Sequence, residues 1–270
     1  MKKRSEPEKN MAGSPIPKII GMIHLLPLPG SPLYEGSMDA VVDRATEDCL
    51  TYGKFGIDAA MVENFGDVPF SRSEVPPVTV SSMTRVVTRL REVSPGMQLG
   101  VNVLRNDSIS AISIAAATGA KFIRVNVFVG AVLTDQGIIE GKAFETIRLR
   151  RSLGADVKVL ADVDVKHSTT IAGYGTGMQT ADAVERGLAD AVIVSGKRTG
   201  SPVEMELLAD LRNDFPAVRI LVGSGANARN VEKLLKHADG VIVGTSVKKG
   251  GITSNPIDEN LLEKFLKAAI

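Results

Sequence analysis

Short apolar runs alternate with longer amphipathic segments along most of the chain. Eight runs are typical of buried strands: "KIIGMIHL", "DAAMVENF", "LGVNVL", "KFIRVNVFV", "VKVLADVDV", "DAVIVSG", "VRILVGSG" and "DGVIVGTS". Helix-like segments separate them, and Asn-Gly-type hairpin turns are missing between the strands. This alternation predicts a parallel sheet, and eight units in about 250 residues predict one closed (β/α)₈ TIM barrel. A doubly wound open sheet is the alternative, but it would need a topological switch and usually has fewer units.

Glycines mark the ends of several predicted helices. The segments "FGIDAA", "TGAKF" and "LGADVK" each place a glycine between a helix and the next strand. Glycine readily adopts the left-handed conformation that closes a helix. We therefore expect a strand to begin directly after each of these glycines.

The fifth predicted strand carries charges on one face only. In "VLADVDVKHS", Val159, Ala161, Val163 and Val165 share one face, and Leu160, Asp162, Asp164 and Lys166 share the other. We expect the apolar face to pack against the helices and the charged face to point into the barrel. Charges inside a barrel are costly unless they are paired or functional.

Barrel enzymes place their active sites at the carboxyl ends of the strands. The polar residues at these ends give the candidate catalytic set Asp162, Asp164, Lys166, His167 and Glu63, and the candidate substrate-binding set His24, Asn64, Asn102, Arg124, Asn126, Asp135, Ser195 and Lys197. The third strand is also followed by Arg105. The structural alternatives are a salt-bridge network that plugs the barrel, pairing of Glu63 with Arg124, and a buried His24.

Glycine-rich turns follow the seventh and eighth strands. "LVGSGANARN" supplies Gly223, Ser224 and Gly225, and "DGVIVGTSVKKGG" supplies Gly244, Thr245 and Ser246. Phosphate-binding barrels use the loops after these two strands, where backbone N–H groups can approach an anion closely. The six residues are therefore the candidate phosphate-binding set, with ordinary tight turns as the alternative.

Two other loops are longer than a connector requires. "VPFSRSEVPPVTV" follows the second strand, and "VGAVLTDQGIIEGKA" follows the fourth. Polar residues among apolar ones suit lids that exclude water. Asp135 and Gln136, in the second of these loops, are placed to reach a ligand.

Composition narrows the class of partner. The 270 residues carry a formal net charge of +1, which gives no reason to expect nucleic-acid or anionic-membrane binding. The single cysteine, Cys49, indicates a core position and a reducing, cytoplasmic compartment. Residues 1–17 read as a disordered tail and residues 18–270 as the barrel, with no apolar stretch long enough for a membrane span. A homo-oligomer is compatible with this sequence.

The sequence lacks several common metal- or nucleotide-binding motifs. We expect no resident cofactor and no metal, because the sequence has no H-E-x-x-H, no cysteine pair and no P-loop. Glu63, Asp162 and Asp164 are an alternative Mg²⁺ set. FMN is a further alternative, since flavin phosphate can use the same two loops, although aromatic residues are only 4%.

The motifs together resemble the BtpA/SgcQ family. The resemblance is carried by "GMIHLLPLPGSP", "ENFGDVPF", "GVNVLRND", "RVNVFVGAVLTDQGIIEG", "ADVDVKHS", "AVIVSGKRTGSP", "LVGSGANARNV" and "ADGVIVGTSVKKGGITSNPID", and it covers nearly the whole chain after the tail. It implies a barrel of the ribulose-phosphate-binding kind. One member of the family is associated with photosystem I biogenesis and another with a sugar-metabolism operon.

Three functional hypotheses follow. The first is an isomerase or lyase that transfers protons on a small phosphorylated metabolite, such as a sugar phosphate or a nucleotide-derived compound. In it, Asp164 or His167 acts as acid/base and Lys166 stabilises an enediolate. The second is a non-catalytic factor that binds a phosphorylated ligand and assists assembly or regulation of a membrane complex. The third is an FMN-dependent oxidoreductase.

Overall fold

The computed structural model describes residues 15–164, 168–170, 173–196 and 203–269. These residues form eleven strands: β1 (Ile19–His24), β2 (Ala59–Glu63), β3 (Gln98–Asn102), β4 (Phe122–Val125), β5 (Ala131–Thr134), β6 (Gly137–Glu140), β7 (Lys158–Val163), β8 (Ser168–Thr170), β9 (Ala191–Val194), β10 (Ile220–Val222) and β11 (Gly240–Val243). Eight of them close a parallel barrel in the order β1-β11-β10-β9-β7-β4-β3-β2. The predicted (β/α)₈ fold is confirmed, with β7 as the fifth barrel strand and β10 and β11 as the seventh and eighth.

Helices follow the barrel strands in sequence. They are α1 (Met38–Lys54), α2 (Pro77–Val93), α3 (Ser108–Thr118), α4 (Ala143–Ser152), α5 (Thr176–Ala181), α6 (Met205–Asp214), α7 (Val231–Leu234) and α8 (Glu259–Ala269), with a π-helical segment, Asp182–Arg186, continuing α5. The glycines predicted to separate helix from strand, Gly56, Gly119 and Gly154, all have positive φ, between 59° and 79°. Asp107 caps the N-terminus of α3 by accepting a hydrogen bond from the N–H of Ser110.

The barrel strands divide their side chains between two apolar layers. Leu160 and Ile193 belong to a cluster inside the barrel, whereas Ala161 and Val194 join the larger core between the sheet and the helices. The Phe122 ring also lies inside, against Gly100, where a Cβ atom would come within 2.0 Å of it. The alternation predicted for the fifth strand therefore holds as far as Val163.

The interior begins earlier in the chain than the predicted domain boundary. Residues 1–14 of the predicted tail lie outside the described residues. Ile16, at the end of that tail, is buried in the cluster inside the barrel, and its carbonyl oxygen accepts a hydrogen bond from Arg219 Nη2. The barrel domain therefore takes in Ile16, two positions before residue 18.

The long loop after β4 contains a hairpin that the sequence pattern did not predict. β5 pairs antiparallel with β6 and with β8, which makes a separate three-stranded sheet. Asp135 and Gln136 form the two-residue turn, and Gly137 after them has a φ of 96°. Val132 and Ile139 pack with Val127 in a small core of their own. This hairpin has no Asn-Gly turn, which is why the sequence pattern did not reveal it.

A buried ion pair joins α1 to the segment after β11. Lys248 Nζ donates to Asp48 Oδ2, and both side chains are almost inaccessible. Cys49 beside it is fully buried, as predicted. Within the described ranges, the helices are too short or too polar to cross a membrane.

Candidate functional site

Each barrel strand contributes one inward-facing position at or just beyond its carboxyl end. These positions are His24, Glu63, Asn102, Arg124, Asp162, Ser195, Gly223 and Gly244. Six are polar, and the two glycines follow β10 and β11. The mouth of the barrel is therefore lined by polar side chains from six strands, and the other two strands end in glycines.

Arg124 and Asp162 form a buried ion pair in this mouth. Arg124 Nε lies 3.1 Å and 3.2 Å from the two Asp162 oxygens, and Nη2 lies 3.0 Å from Oδ2. Burial alone would lower the pKa of Arg124, but the Asp162 and Glu63 carboxylates raise it above its ordinary value. Arg124 is thus a fixed cation. Arg124 forms its ion pair with Asp162. The alternative of a Glu63–Arg124 ion pair is therefore wrong.

Two amides hold this pair in place. Asn126 Nδ2 donates to Asp162 Oδ2 at 2.6 Å, and Asn102 Nδ2 donates to the Arg124 carbonyl at 3.0 Å and to Asn126 Oδ1 at 3.2 Å. Asn102 Oδ1 is buried, and among the described residues no group donates to it. The predicted residues Asn102, Arg124, Asn126 and Asp162 are therefore brought together in one network.

Glu63 and His24 stand side by side on β2 and β1. His24 Nε2 lies 3.8 Å from Glu63 Oε1, and both side chains are about nine-tenths buried. The Phe65 ring packs edge-on against the His24 ring, with centroids 5.0 Å apart. A carboxylate beside an imidazole can take a proton from, or return one to, a carbon or oxygen of a bound ligand.

Arg105 is a site residue that is missing from the predicted set. Burial lowers its pKa, while the charges of Asp162, Glu63 and Asp135 act to raise it and Arg124 acts to lower it. Arg105 therefore lies within electrostatic reach of both carboxylates in the mouth. Asp135, on the exposed hairpin turn, also acts on the charge of this guanidinium.

The loop after β10 approaches the mouth through its backbone. Gly223 N–H is used by the Val194 carbonyl at 2.9 Å, so this amide cannot bind an anion as the prediction required. A glycine is needed at this position because a Cβ would lie 2.3 Å from Ile193 Cγ2. Ser224 is buried, and Gly225 adopts a φ of 71°, which favours glycine.

The loop after β11 is fastened by its own hydroxyls. Ser246 Oγ donates to the Ala226 carbonyl at 2.6 Å, and Thr245 Oγ1 lies 2.9 Å from Thr253 Oγ1. These hydroxyls join loops together, whereas the prediction assigned them to the anion. Among the described groups, none accepts a hydrogen bond from the backbone N–H of Gly225, Thr245 or Ser246. These three backbone donors are available to a ligand, and phosphate binding by them stays a prediction.

Four predicted residues follow β7 and β9: Asp164, Lys166, His167 and Lys197. Lys166, His167 and Lys197 lie outside the described residues. Asp164 lies just after β7, which ends at Val163 and not at Val165 as predicted. Its φ is 55°, and its N–H donates to Gln179 Oε1 at 3.0 Å. The left-handed turn ends the strand, so strand alternation no longer fixes the direction of the Asp164 side chain.

Asn64 has a bracing role in the structure. Its Oδ1 accepts a hydrogen bond from Leu104 N–H at 2.7 Å, and its Nδ2 donates to Asp67 Oδ2 at 3.1 Å. One end of the amide joins the loop after β2 to the loop after β3, and the other end stabilises the β2 loop itself. Binding of substrate by Asn64 stays a prediction that would require one of these bonds to break.

The alternative Mg²⁺ set is not assembled as a metal site. Over the described ranges, no group of three or more His, Cys, Asp or Glu side chains is arranged to hold a metal ion. Asp162 is instead committed to Arg124 and Asn126. FMN binding remains a prediction.

Comparison with known proteins gives both family and fold. A protein of Thermococcus kodakarensis named as uncharacterized is 49% identical over 252 residues, which cover 93% of this chain and 94% of that protein. The Photosystem I biogenesis protein BtpA of Synechocystis is 44% identical over 252 residues, with 93% and 87% covered. The solved structure of N-(5'-phosphoribosyl)anthranilate isomerase from Pyrococcus furiosus has a TM-score of 0.56 at 18% identity, with 93% and 98% covered. This structural likeness shows the fold alone.

The relatives align over nearly the whole barrel, and a family model described as the BtpA family matches residues 17–270. The chain therefore belongs to the BtpA family.

Proposed function

We propose that the protein is an enzyme that moves a proton on a small phosphorylated metabolite, with an isomerase or lyase reaction. The observation that carries the proposal is the arrangement of the mouth. Backbone donors at Gly225, Thr245 and Ser246 lie in the loops after β10 and β11, and the His24–Glu63 pair lies on the neighbouring strands β1 and β2. A phosphate on the loops would direct the carbon chain of the ligand toward these groups.

The charges in the mouth suit a proton transfer that develops negative charge. Glu63 is a buried carboxylate beside His24, whereas the Asp162 carboxylate is committed to Arg124. The position of Glu63 beside the His24 imidazole makes it a candidate base. Arg124 is a fixed cation that can stabilise an enediolate oxygen. Asp164, Lys166 and His167, next to β7, remain the further acid/base and stabilising candidates.

The solved phosphoribosylanthranilate isomerase gives this proposal a precedent on the same fold. The name of that protein describes an isomerase whose substrate carries a phosphoribosyl group. Function does not follow from fold, so the precedent adds support only where the site agrees with it. The backbone donors after β10 and β11 are the feature of this chain that suits a phosphorylated ligand.

Assembly or regulation of a membrane complex is the second candidate. It is favoured by the 44% identity with the Photosystem I biogenesis protein BtpA. In that case the loops would bind a phosphorylated ligand without turnover. The two candidates therefore share the ligand class and differ in chemistry.

Hydrogen exchange in D2O separates the two candidates. The protein is incubated with a panel of aldose and ketose phosphates, and loss of carbon-bound hydrogen beside the carbonyl is followed by NMR. An enzyme of the proposed kind exchanges this hydrogen even when no product accumulates, and Glu63→Gln should slow the exchange by about a hundredfold or more. Binding of a sugar phosphate without exchange would support the assembly factor. A yellow purified protein would instead indicate a flavin.

A further inference from the structure

Two side-chain donors converge beside Gly223. The position that a Cβ atom would take on Gly223 lies 3.0 Å from Ser195 Oγ and 3.4 Å from Arg124 Nη2. The same point lies 2.3 Å from Ile193 Cγ2, so it holds no atom itself. It marks where the hydroxyl that follows β9 and the guanidinium of β4 converge beside Gly223.

The Ser195 hydroxyl has no use within the described fold. The residue is 5% exposed, and among the described residues no group forms a hydrogen bond with its Oγ. A buried hydroxyl without a partner costs free energy, and native proteins usually avoid this. An alanine would fill nearly the same volume without that cost.

Arg124 also retains donors. Asp162 takes the N–H of Nε and one N–H of Nη2, which leaves three of the five guanidinium N–H groups. None of the described residues accepts a side-chain hydrogen bond from Arg124 other than Asp162. The ion pair thus orients the guanidinium and leaves part of it for a ligand.

We propose that Ser195 and Arg124, converging beside Gly223, form a subsite for a carbonyl, carboxylate or enediolate oxygen on the carbon chain of the ligand. This subsite rests on the proposed function, since the phosphate on the adjacent loops brings the chain to it. An oxygen there accepts from a hydroxyl and from a charged N–H, a combination suited to developing negative charge. The subsite lies beside the β10 loop, so the oxygen-bearing carbon is close to the phosphate in the ligand.

Two matched probes isolate the oxygen. Phosphoglycolate and ethyl phosphate share a two-carbon phosphate ester, but only phosphoglycolate carries a carboxylate, which imitates an enediolate. We expect wild-type protein to bind phosphoglycolate about tenfold or more tightly than ethyl phosphate in isothermal titration. Ser195→Ala should lose about tenfold for phosphoglycolate and leave ethyl phosphate unchanged.

The free protein provides a second readout. Because Ser195 Oγ has no described partner, Ser195→Ala should keep or raise the melting temperature while it weakens phosphoglycolate binding. Ser82→Ala, at a buried serine of α2 outside the barrel mouth, is the control and should leave both affinities unchanged. Equal affinity of wild type for the two probes would overturn the subsite, as would an equal loss of both probes in Ser195→Ala. Failure of both probes to bind wild type would instead reject the proposed function itself.

Discussion

The Arg124 guanidinium donates hydrogen bonds to the Asp162 carboxylate inside the barrel, with Nη2 3.0 Å from Oδ2 and Nε near both oxygens. The pair crosses from β4 to β7, and Asn126 adds a third donor to the same carboxylate. Asp162 therefore neutralises and orients the cation that faces the loops after β10 and β11.

Removal of this carboxylate should be costly. Asp162→Ala leaves the Arg124 charge buried without its partner, and we expect a loss of about 3–5 kcal/mol of unfolding free energy. The control is Asp156→Ala, at an exposed ion pair with Lys121 of 3.7 Å, which should cost under about 1 kcal/mol. Urea unfolding measures both. Equal small losses would show that the buried pair does not stabilise the fold.

The floor of the barrel depends on a glycine and an aromatic ring that fit one another. A Cβ on Gly100 would lie 2.0 Å from the Phe122 ring, so Gly100→Ala should cost about 1–3 kcal/mol by overpacking. Phe122→Leu in the same chain should recover part of this loss, because it makes room for the added methyl group. Melting temperatures of the two single variants and the double variant test the coupling. Additive effects would contradict the packing.

Cys49 makes stability fall with pH in alkaline solution. Burial raises the pKa of its thiol from 9.0 to about 11, so the folded state keeps a proton that the unfolded state loses first. Between these two values the free energy of unfolding should decrease as the pH rises, since the unfolded thiol ionises while the folded thiol does not. Urea unfolding from about pH 8 to about pH 10 measures this slope. Cys49→Ala should show a shallower slope, and identical slopes would refute the assignment.

The strand pattern was sufficient to predict the barrel and the inward face of Asp162. Periodicity fixes direction only while the strand continues, and β7 ends at Val163. Asp164 then turns left-handed, with its N–H on the Gln179 side chain fifteen residues away. That contact is tertiary, so the local sequence pattern around Asp164 does not predict it.

Arg105 and the hairpin show the same limit. Arg105 follows β3 through an irregular turn, where alternation says nothing about the direction of a side chain. The hairpin of β5 and β6 has Asp135–Gln136 as its turn, and Gly137 takes the positive φ, so it lacks the usual Asn-Gly signal. Its pairing with β8 is a contact between distant segments.

Glycerol 3-phosphate binding by two glycine variants tests the phosphate site most directly. Gly225 and Gly154 both have positive φ, 71° and 59°, so an alanine at either position strains the backbone, by roughly 1–2 kcal/mol. Gly225 lies in the β10 loop, whereas Gly154 lies between α4 and β7, where an added Cβ would meet nothing within 4 Å. Isothermal titration with each variant should show a loss of affinity of about tenfold or more in Gly225→Ala and wild-type affinity in Gly154→Ala, at similar melting temperatures. Wild-type affinity in both folded variants would place the phosphate elsewhere and contradict the proposed site.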